Sequence, residues 1–142
     1  MSEITRDIME IARCSSQYKM DMLSPFGLKG CHSSYLSEIC ACPGISQDQL
    51  AQRICINKSN VARQAAILEE DGFIIRKPSI SDKRVMELYP TEKTLELLPK
   101  ITAITSRWEQ WLTKDMTEEE IGLATRILER MKCTASEWME EH

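Results

Sequence analysis

The chain has little of what a catalytic or metal-binding protein carries. It has only two histidines, His32 and His142, and its six cysteines include no C-x-x-C pair, so no zinc site is expected. It has no Gly-rich phosphate loop, no G-x-S-x-G and no H-E-x-x-H, the motifs of several large enzyme classes. We therefore expect no cofactor, no metal and no catalytic residues.

Long apolar runs are also missing. The first seven residues contain no apolar signal core, and no uninterrupted apolar stretch approaches the length of a membrane span. We expect a cytoplasmic protein without a membrane partner, and in that compartment the cysteines are reduced thiols.

Charge is unevenly distributed along the 142 residues, although the net charge is only −4. Three basic residues and no acidic ones lie in 53–63, and four basic residues against one acidic residue lie in 76–84. Residues 115–142 carry eight acidic and three basic residues. A solvated surface is the ordinary interpretation of such clusters, but a local basic face on an acidic body also suits a nucleic-acid partner.

The two basic clusters coincide with a helix-turn-helix pattern followed by a hairpin. Ser46 and Gln49 have the spacing of a capping box, and Asn57 is a good cap for a second helix that stops near Gly72. Two short strand-like runs, 73–77 and 84–89, flank a loop of turn-forming residues. The pattern predicts a winged helix-turn-helix, a device that inserts one helix into the major groove of DNA.

The second helix of this pattern has two different sides. Helical spacing places Val61, Ala65 and Leu68 on an inward side. Its opposite side is small, polar or basic, which lets the backbone approach base edges and lets an arginine bind guanine or phosphate. An ordinary amphipathic helix is the structural alternative. The predicted DNA-contacting residues on and beside this face are Lys58, Ser59, Asn60, Ala62 and Arg63.

The chain resembles the MarR-type winged-helix regulators over nearly its whole length. The most specific element of the similarity is D-x-R at Asp82 and Arg84. The similarity as a whole rests on Leu50–Arg53, Asn57–Arg63, Leu68–Ile74, Arg76, Ser81–Arg84 and Leu88–Thr91. The resemblance implies that Arg84 enters the minor groove, that Asp82 braces the wing and that Lys83 lies beside them at the DNA. A solvent-exposed turn with a local ion pair is the alternative. Pro90 departs from the family pattern, which leaves the end of the second wing strand open.

The resemblance also implies an architecture and an assembly. The fold is expected to be mainly α with a small two- to three-stranded β wing. Residues 43–90 would form the DNA-binding region, and residues 1–42 and 91–142 would form a helical dimerisation region. Two-fold symmetry of a homodimer would set two recognition helices roughly 34–36 Å apart on a near-palindromic site of double-stranded DNA. The expected function is transcriptional regulation, as a repressor relieved by a small ligand or oxidant.

The nature of the signal stays open at the level of sequence. By analogy with the family, His32, Tyr35 and Trp108 are candidate neighbours of a pocket for a small aromatic or apolar effector, although core packing also explains each. Cys14 lies where some family members carry a sensing thiol; a buried small side chain is the alternative, since Arg13 is expected to point to another side of the helix. A winged-helix interaction module without DNA binding is a further alternative.

Overall fold

The computed structural model describes residues 3–142, a mainly helical chain with three short β-strands, which confirms the predicted fold class. Within residues 3–142, no helix has the length and apolar character that a membrane crossing requires. In chain order the elements are α1 (Ile4–Leu23), α2 (His32–Ala41), β1 (Ile45–Ser46), α3 (Gln47–Ile54), α4 (Lys58–Glu70), β2 (Ile74–Pro78), β3 (Met86–Pro90), α5 (Glu92–Leu112) and α6 (Glu118–Glu141).

Internal contacts divide the chain into two compact units, Met1–Trp108 and Glu109–His142. We call them the N-terminal unit and the C-terminal unit. The sequence predicts a different, functional division, with residues 43–90 binding DNA and residues 1–42 and 91–142 pairing two chains. Contacts within one chain do not test a pairing surface, so that division stays a prediction; its first two residues also lie outside the described part of the chain.

Local hydrogen bonds determine where the helix-turn-helix begins and turns. The Ser46 hydroxyl accepts from the Gln49 N–H at 3.1 Å, and the Gln49 carboxamide accepts from the Ser46 N–H at 3.1 Å. Cys55 ends α3 with φ of 58°, a left-handed conformation that reverses the chain in one residue. The Asn57 side chain then accepts from the Asn60 N–H at 2.8 Å and starts α4. The predicted capping box, turn and cap are confirmed.

The sheet is antiparallel with the strand order β1-β3-β2. β2 and β3 form the wing hairpin, with Ile74 opposite Pro90 and Pro78 opposite Met86. β3 therefore extends through Pro90, and this departure from the family pattern does not shorten the strand. The sequence did not locate β1, because two residues next to a helix cap carry no strand periodicity.

The core of the N-terminal unit fixes the orientation of α4. Val61, Ala65 and Leu68 have no exposed surface, as their helical spacing predicts. They belong to one apolar cluster with side chains from α2, α3 and the sheet, among them Leu36, Leu50, Ile74 and Leu88. Burial of this side turns the opposite face of α4 outward.

The C-terminal unit is dominated by α6. Thr117 and Glu120 form the predicted capping box, with Thr117 Oγ1 accepting from the Glu120 N–H at 3.1 Å. None of the described residues of α6 is buried. Large apolar side chains along it are exposed, including Leu123, Leu128, Trp138 and Met139.

Candidate nucleic-acid interface

The outward face of α4 begins with a short chain of hydrogen bonds between polar side chains. Asn57 Oδ1 accepts from the Ser59 hydroxyl at 2.9 Å as well as from the backbone of Asn60. Arg63 Nη2 donates to Asn60 Oδ1 at 2.8 Å. These contacts hold Ser59, Asn60 and Arg63 in order at the N-terminal end of α4, where backbone N–H groups and the helix dipole favour an anion. Ala62, half-buried, leaves room between them.

Lys58 is the first residue of α4, and both it and its partner are exposed. Its ammonium group lies 3.5 Å from the Asp48 carboxylate of α3. Because both side chains are largely in solvent, this pair contributes little to stability. Lys58 is therefore free to exchange Asp48 for a phosphate at low cost.

The wing carries a compact Asp-Arg turn at its tip. Asp82 Oδ1 accepts from the Arg84 backbone N–H at 3.0 Å and from Arg84 Nε at 3.1 Å, and Oδ2 accepts from Nη2 at 3.2 Å. The Arg84 side chain and backbone bonds hold the pKa of Asp82 below its usual value. The Arg84 side chain is 92% exposed although it is held at one end, so its guanidinium is oriented and available. Lys83, between them, is also exposed.

A second arginine, Arg76, connects the wing to the helix-turn-helix, and sequence reasoning did not single it out. It belonged to a basic cluster and to the residues that carry the family resemblance, but it was given no role of its own. In the structure its guanidinium contacts Glu69 near the end of α4 and Gln47 at the start of α3. The available signal was Glu69 and Arg76 on either side of the Gly72 turn, a spacing compatible with an ion pair across the turn.

The three candidate pocket residues make different contacts in the N-terminal unit. His32 is 1% exposed: its Nδ1 accepts from the Lys29 backbone N–H at 3.1 Å, so Nε2 carries the proton and donates to the Gln64 carboxamide of α4 at 2.9 Å. Burial lowers the pKa of His32, and the Gln64 bond only partly opposes this. Tyr35 packs edge-on against His32, with ring centroids 6.2 Å apart. Trp108 instead stacks on Tyr18, at 5.0 Å.

Tyr35 is a buried aromatic side chain whose hydroxyl has no hydrogen-bond partner within residues 3–142. Burial raises the pKa of this phenol, so the group is neutral at physiological pH. His32 and Tyr35 are thus both buried, and their role beside an effector pocket stays a prediction.

Several open cavities lie in the N-terminal unit, and one of them has a volume of about 330 Å³. Its walls include the charged side chains Lys19, Glu38 and Arg53 and the hydroxyl groups of Ser34 and Ser37. Arg53 and Glu38 form an ion pair at 3.3 Å. Most of the residues that line this cavity are thus polar or charged, and none of the three predicted pocket residues lines it.

Cys14 is half-buried on α1 rather than enclosed in the core. Its Sγ lies 3.6 Å from Arg13 Nη2 and 3.9 Å from Glu10 Oε1. The expectation that Arg13 points away from the thiol is wrong, because its long side chain turns back toward Glu10 and passes the sulfur.

Known proteins resemble both the sequence and this geometry. The profile of the MarR family matches residues 33–86. The crystal structure of the transcriptional regulator SlyA superposes with a TM-score of 0.92 at 31% identity, covering 96% of each chain. A MarR family transcriptional regulator from Listeria monocytogenes, crystallised with a 26mer DNA, gives a TM-score of 0.91 at 31% identity, over 98% of this chain and 93% of that one. The HTH-type transcriptional regulator YybA of Bacillus subtilis is 29% identical over 93% of this chain and 88% of its own length.

These matches agree with the architecture derived from the helix-turn-helix, its wing and the flanking helices. They also confirm the expectation of a transcriptional regulator rather than an enzyme, because the matched family consists of regulators. The chain belongs to the MarR family of winged helix-turn-helix transcriptional regulators.

Proposed function

We propose that the chain binds double-stranded DNA with the N-terminal part of α4 in the major groove and the wing arginine, Arg84, in the adjacent minor groove. The observation that carries this proposal is the exposed, oriented guanidinium of Arg84 on a braced wing, on the same unit as the polar face of α4. The Listeria monocytogenes relative crystallised with a 26mer DNA supports it. Base contacts would come from Ser59, Asn60 and Arg63, and Lys58 and Lys83 would bind phosphates.

We propose that two copies of the chain bind together as a homodimer. α1 exposes Ile4, Ile8 and Ile11, and α6 exposes Leu128 and Trp138. Exposed apolar stripes on long helices are typical of surfaces that a partner covers. A second copy is the occupant that the family implies, and its two-fold symmetry would place the two α4 helices on inverted half-sites of a near-palindromic duplex.

Regulation would follow from occupancy of the DNA. A bound dimer represses by excluding other proteins from its site, and a signal that changes the geometry of the reading elements releases it. The cavity of about 330 Å³ has the size of a small-effector site, and its lysine and hydroxyl groups suit a polar effector. A second cavity, of about 380 Å³, has Met22, Phe26 and Ile104 in its walls and suits an apolar effector. Release by oxidation of Cys14 stays a prediction.

Binding of the Arg84→Ala variant to duplex DNA at fixed salt tests the wing contact. We expect a loss of about tenfold or more in affinity, because one oriented arginine contact is worth roughly 1–3 kcal/mol. Lys77→Ala is the matched control, since it removes a positive charge from the same hairpin away from the tip, and it should cost much less. Equal affinity of Arg84→Ala and the wild type would contradict the wing assignment. If the wild type binds no duplex, the interaction-module alternative gains support.

A further inference from the structure

One side chain, that of Arg76 on β2, joins the wing to both helices of the helix-turn-helix. Its Nε and Nη2 donate to Glu69 Oε1 of α4 at 3.2 and 3.1 Å, and its Nη1 donates to the Gln47 carboxamide of α3 at 3.3 Å. Its backbone N–H donates to Glu69 Oε2 at 3.3 Å. Glu69 thus binds both the side chain and the backbone of the same strand residue.

This contact occurs where the sheet has an open edge. β2 is an edge strand, because the order is β1-β3-β2, so an N–H that points away from β3 has no strand partner. Glu69 occupies that position and fixes the strand against the C-terminal part of α4. The Arg76 side chain is only 23% exposed, so the pair is better shielded from solvent than the other ion pairs of the unit.

A contact at this place determines where the tip of the wing lies. Arg76 precedes Asp82 by six residues, of which two continue β2 to Pro78 and the others lie in the loop, so the tip is at most about 20 Å away at 3.3 Å per residue. A tilt of about 5° at Arg76 would therefore move the tip by up to about 2 Å. Displacements of about 1 Å already weaken a positioned contact. A small rotation of β2 at Arg76 would therefore be enough to weaken the contact of Arg84 with the minor groove.

We propose that Arg76 is a positioning residue for DNA recognition: through Glu69 and Gln47 it sets the placement of Arg84 relative to α4, and it makes no DNA contact itself. This rests on the proposed DNA-binding function. It assigns the Glu69–Arg76 pair a role in specificity, because the distance between the major-groove and minor-groove contacts depends on it. The residue acts only through the wing, so its effect must vanish when the wing contact is removed.

A double-mutant cycle tests this dependence. Arg76→Lys keeps the positive charge and removes the fork that binds Glu69 and Gln47 together. Duplex affinity is measured at fixed salt for the wild type, Arg76→Lys, Arg84→Ala and the double variant. We expect Arg76→Lys to lower affinity about tenfold in the wild-type background and less than about twofold in the Arg84→Ala background. Lys77→Gln is the control for a basic residue on the same strand, and its small effect should be equal in both backgrounds.

Each outcome decides the proposal. An equal loss from Arg76→Lys in both backgrounds would overturn it, since a direct DNA contact or general destabilisation adds independently of Arg84. No loss in either background would also overturn it. If Arg84→Ala itself has no effect, the proposed wing contact fails first, and that result is read before the cycle. Glu69→Gln, which keeps an acceptor of the same shape but removes the charge, gives the same cycle if Arg76→Lys does not fold.

Discussion

The two units of the chain differ in how far their apolar side chains are buried. In the N-terminal unit Leu50, Val61 and Leu68 have no exposed surface, and the polar groups around them are joined by caps and ion pairs. In the C-terminal unit Leu128 is 49% exposed and Trp138 is 59% exposed. The N-terminal unit has a closed apolar core behind α4 and the wing, although the start of α1 is exposed, whereas α6 in the C-terminal unit presents apolar side chains without a buried core of its own.

In the proposed function, the closed core supports the reading of DNA and the exposed apolar surface supports the pairing of chains. Burial of apolar surface is the main favourable contribution to folding, so the N-terminal unit has what it needs to hold α4 and the wing in place. A helix such as α6 derives most of its stability from packing of its apolar side, and a second copy supplies that packing in the proposed dimer. Substitutions in the two units are therefore expected to have different effects on self-association, DNA affinity and stability.

The largest effect is expected from a charge in the exposed apolar stripe of α6. Leu128→Glu should abolish self-association, because two carboxylates would have to enter the apolar contact between chains. DNA affinity should then fall by about a hundredfold or more, since each chain would bind one half-site without the gain from linkage. Light scattering gives the mass of the protein in solution, and a binding titration gives the affinity.

Arg130→Glu is the matched control for this variant. Arg130 lies two residues further on, about 200° around the helix from Leu128, and the substitution changes the net charge by more than Leu128→Glu does. It should leave the protein dimeric. If the protein with Leu128→Glu is still a dimer, or if both variants are equally monomeric, α6 does not supply the pairing surface through Leu128.

An effect of intermediate size on DNA affinity is expected at Lys58, in the N-terminal unit. Lys58→Ala should weaken binding severalfold for every sequence and reduce the salt dependence of log affinity by about 0.9, the value for one phosphate contact. The order of preference among duplexes should not change. Lys100→Ala, an exposed lysine on α5, is the control and should leave the slope unaltered. A change of sequence preference with Lys58→Ala would mean that this residue reads bases.

The smallest effect concerns the stability of the N-terminal unit and its dependence on pH. Burial lowers the pKa of His32, with Lys29 acting in the same direction and the Gln64 bond and Asp71 opposing it. The native state therefore binds a proton more weakly than the unfolded state. The contribution of His32 to stability is complete above the unfolded imidazole pKa of about 6.5 and is lost as the pH falls through the lowered native value.

Unfolding by denaturant at about pH 7.5 and about pH 5.5 measures this loss, with a slope of at most about 1.4 kcal/mol per pH unit. His32→Gln should be less stable than the wild type at the higher pH. Its free energy of unfolding should also fall less than that of the wild type between the two pH values. An identical decline in both proteins would show that protonation of His32 does not oppose folding. The hydrogen bond between His32 and Gln64, and with it the packing of α4 at this point, would then be independent of pH.

Much of the fold was predictable from sequence because its determinants are local. The capping boxes at Ser46 and Thr117, the Asn57 cap and the Gly72 stop each depend on residues within a few positions of one another. The inward side of α4 followed from helical periodicity, and the Asp82–Arg84 turn followed from a short motif recognised by resemblance. These are features in which neighbouring residues act directly on each other.

The contacts that sequence reasoning missed join distant elements. Gln47 is 29 residues before Arg76, and His32 is 32 residues before Gln64. No periodicity connects such residues, so only the packed structure brings them together. The same limit applies to the pocket: Trp108 was grouped with His32 and Tyr35 by analogy, whereas the aromatic partner it has in this chain is Tyr18. The predicted DNA-contacting residues remain predictions until binding is measured.

Selection of bound sequences from a random duplex library tests the central claim most directly, because it reports on both units at once. A two-fold symmetric dimer should enrich two inverted half-sites with centres about one helical turn apart, roughly 10–10.5 base pairs. The half-site would be set by α4 and its spacing by the pairing of two chains. Enrichment of a single unrepeated site, or of no sequence at all, would contradict a symmetric pair of recognition helices.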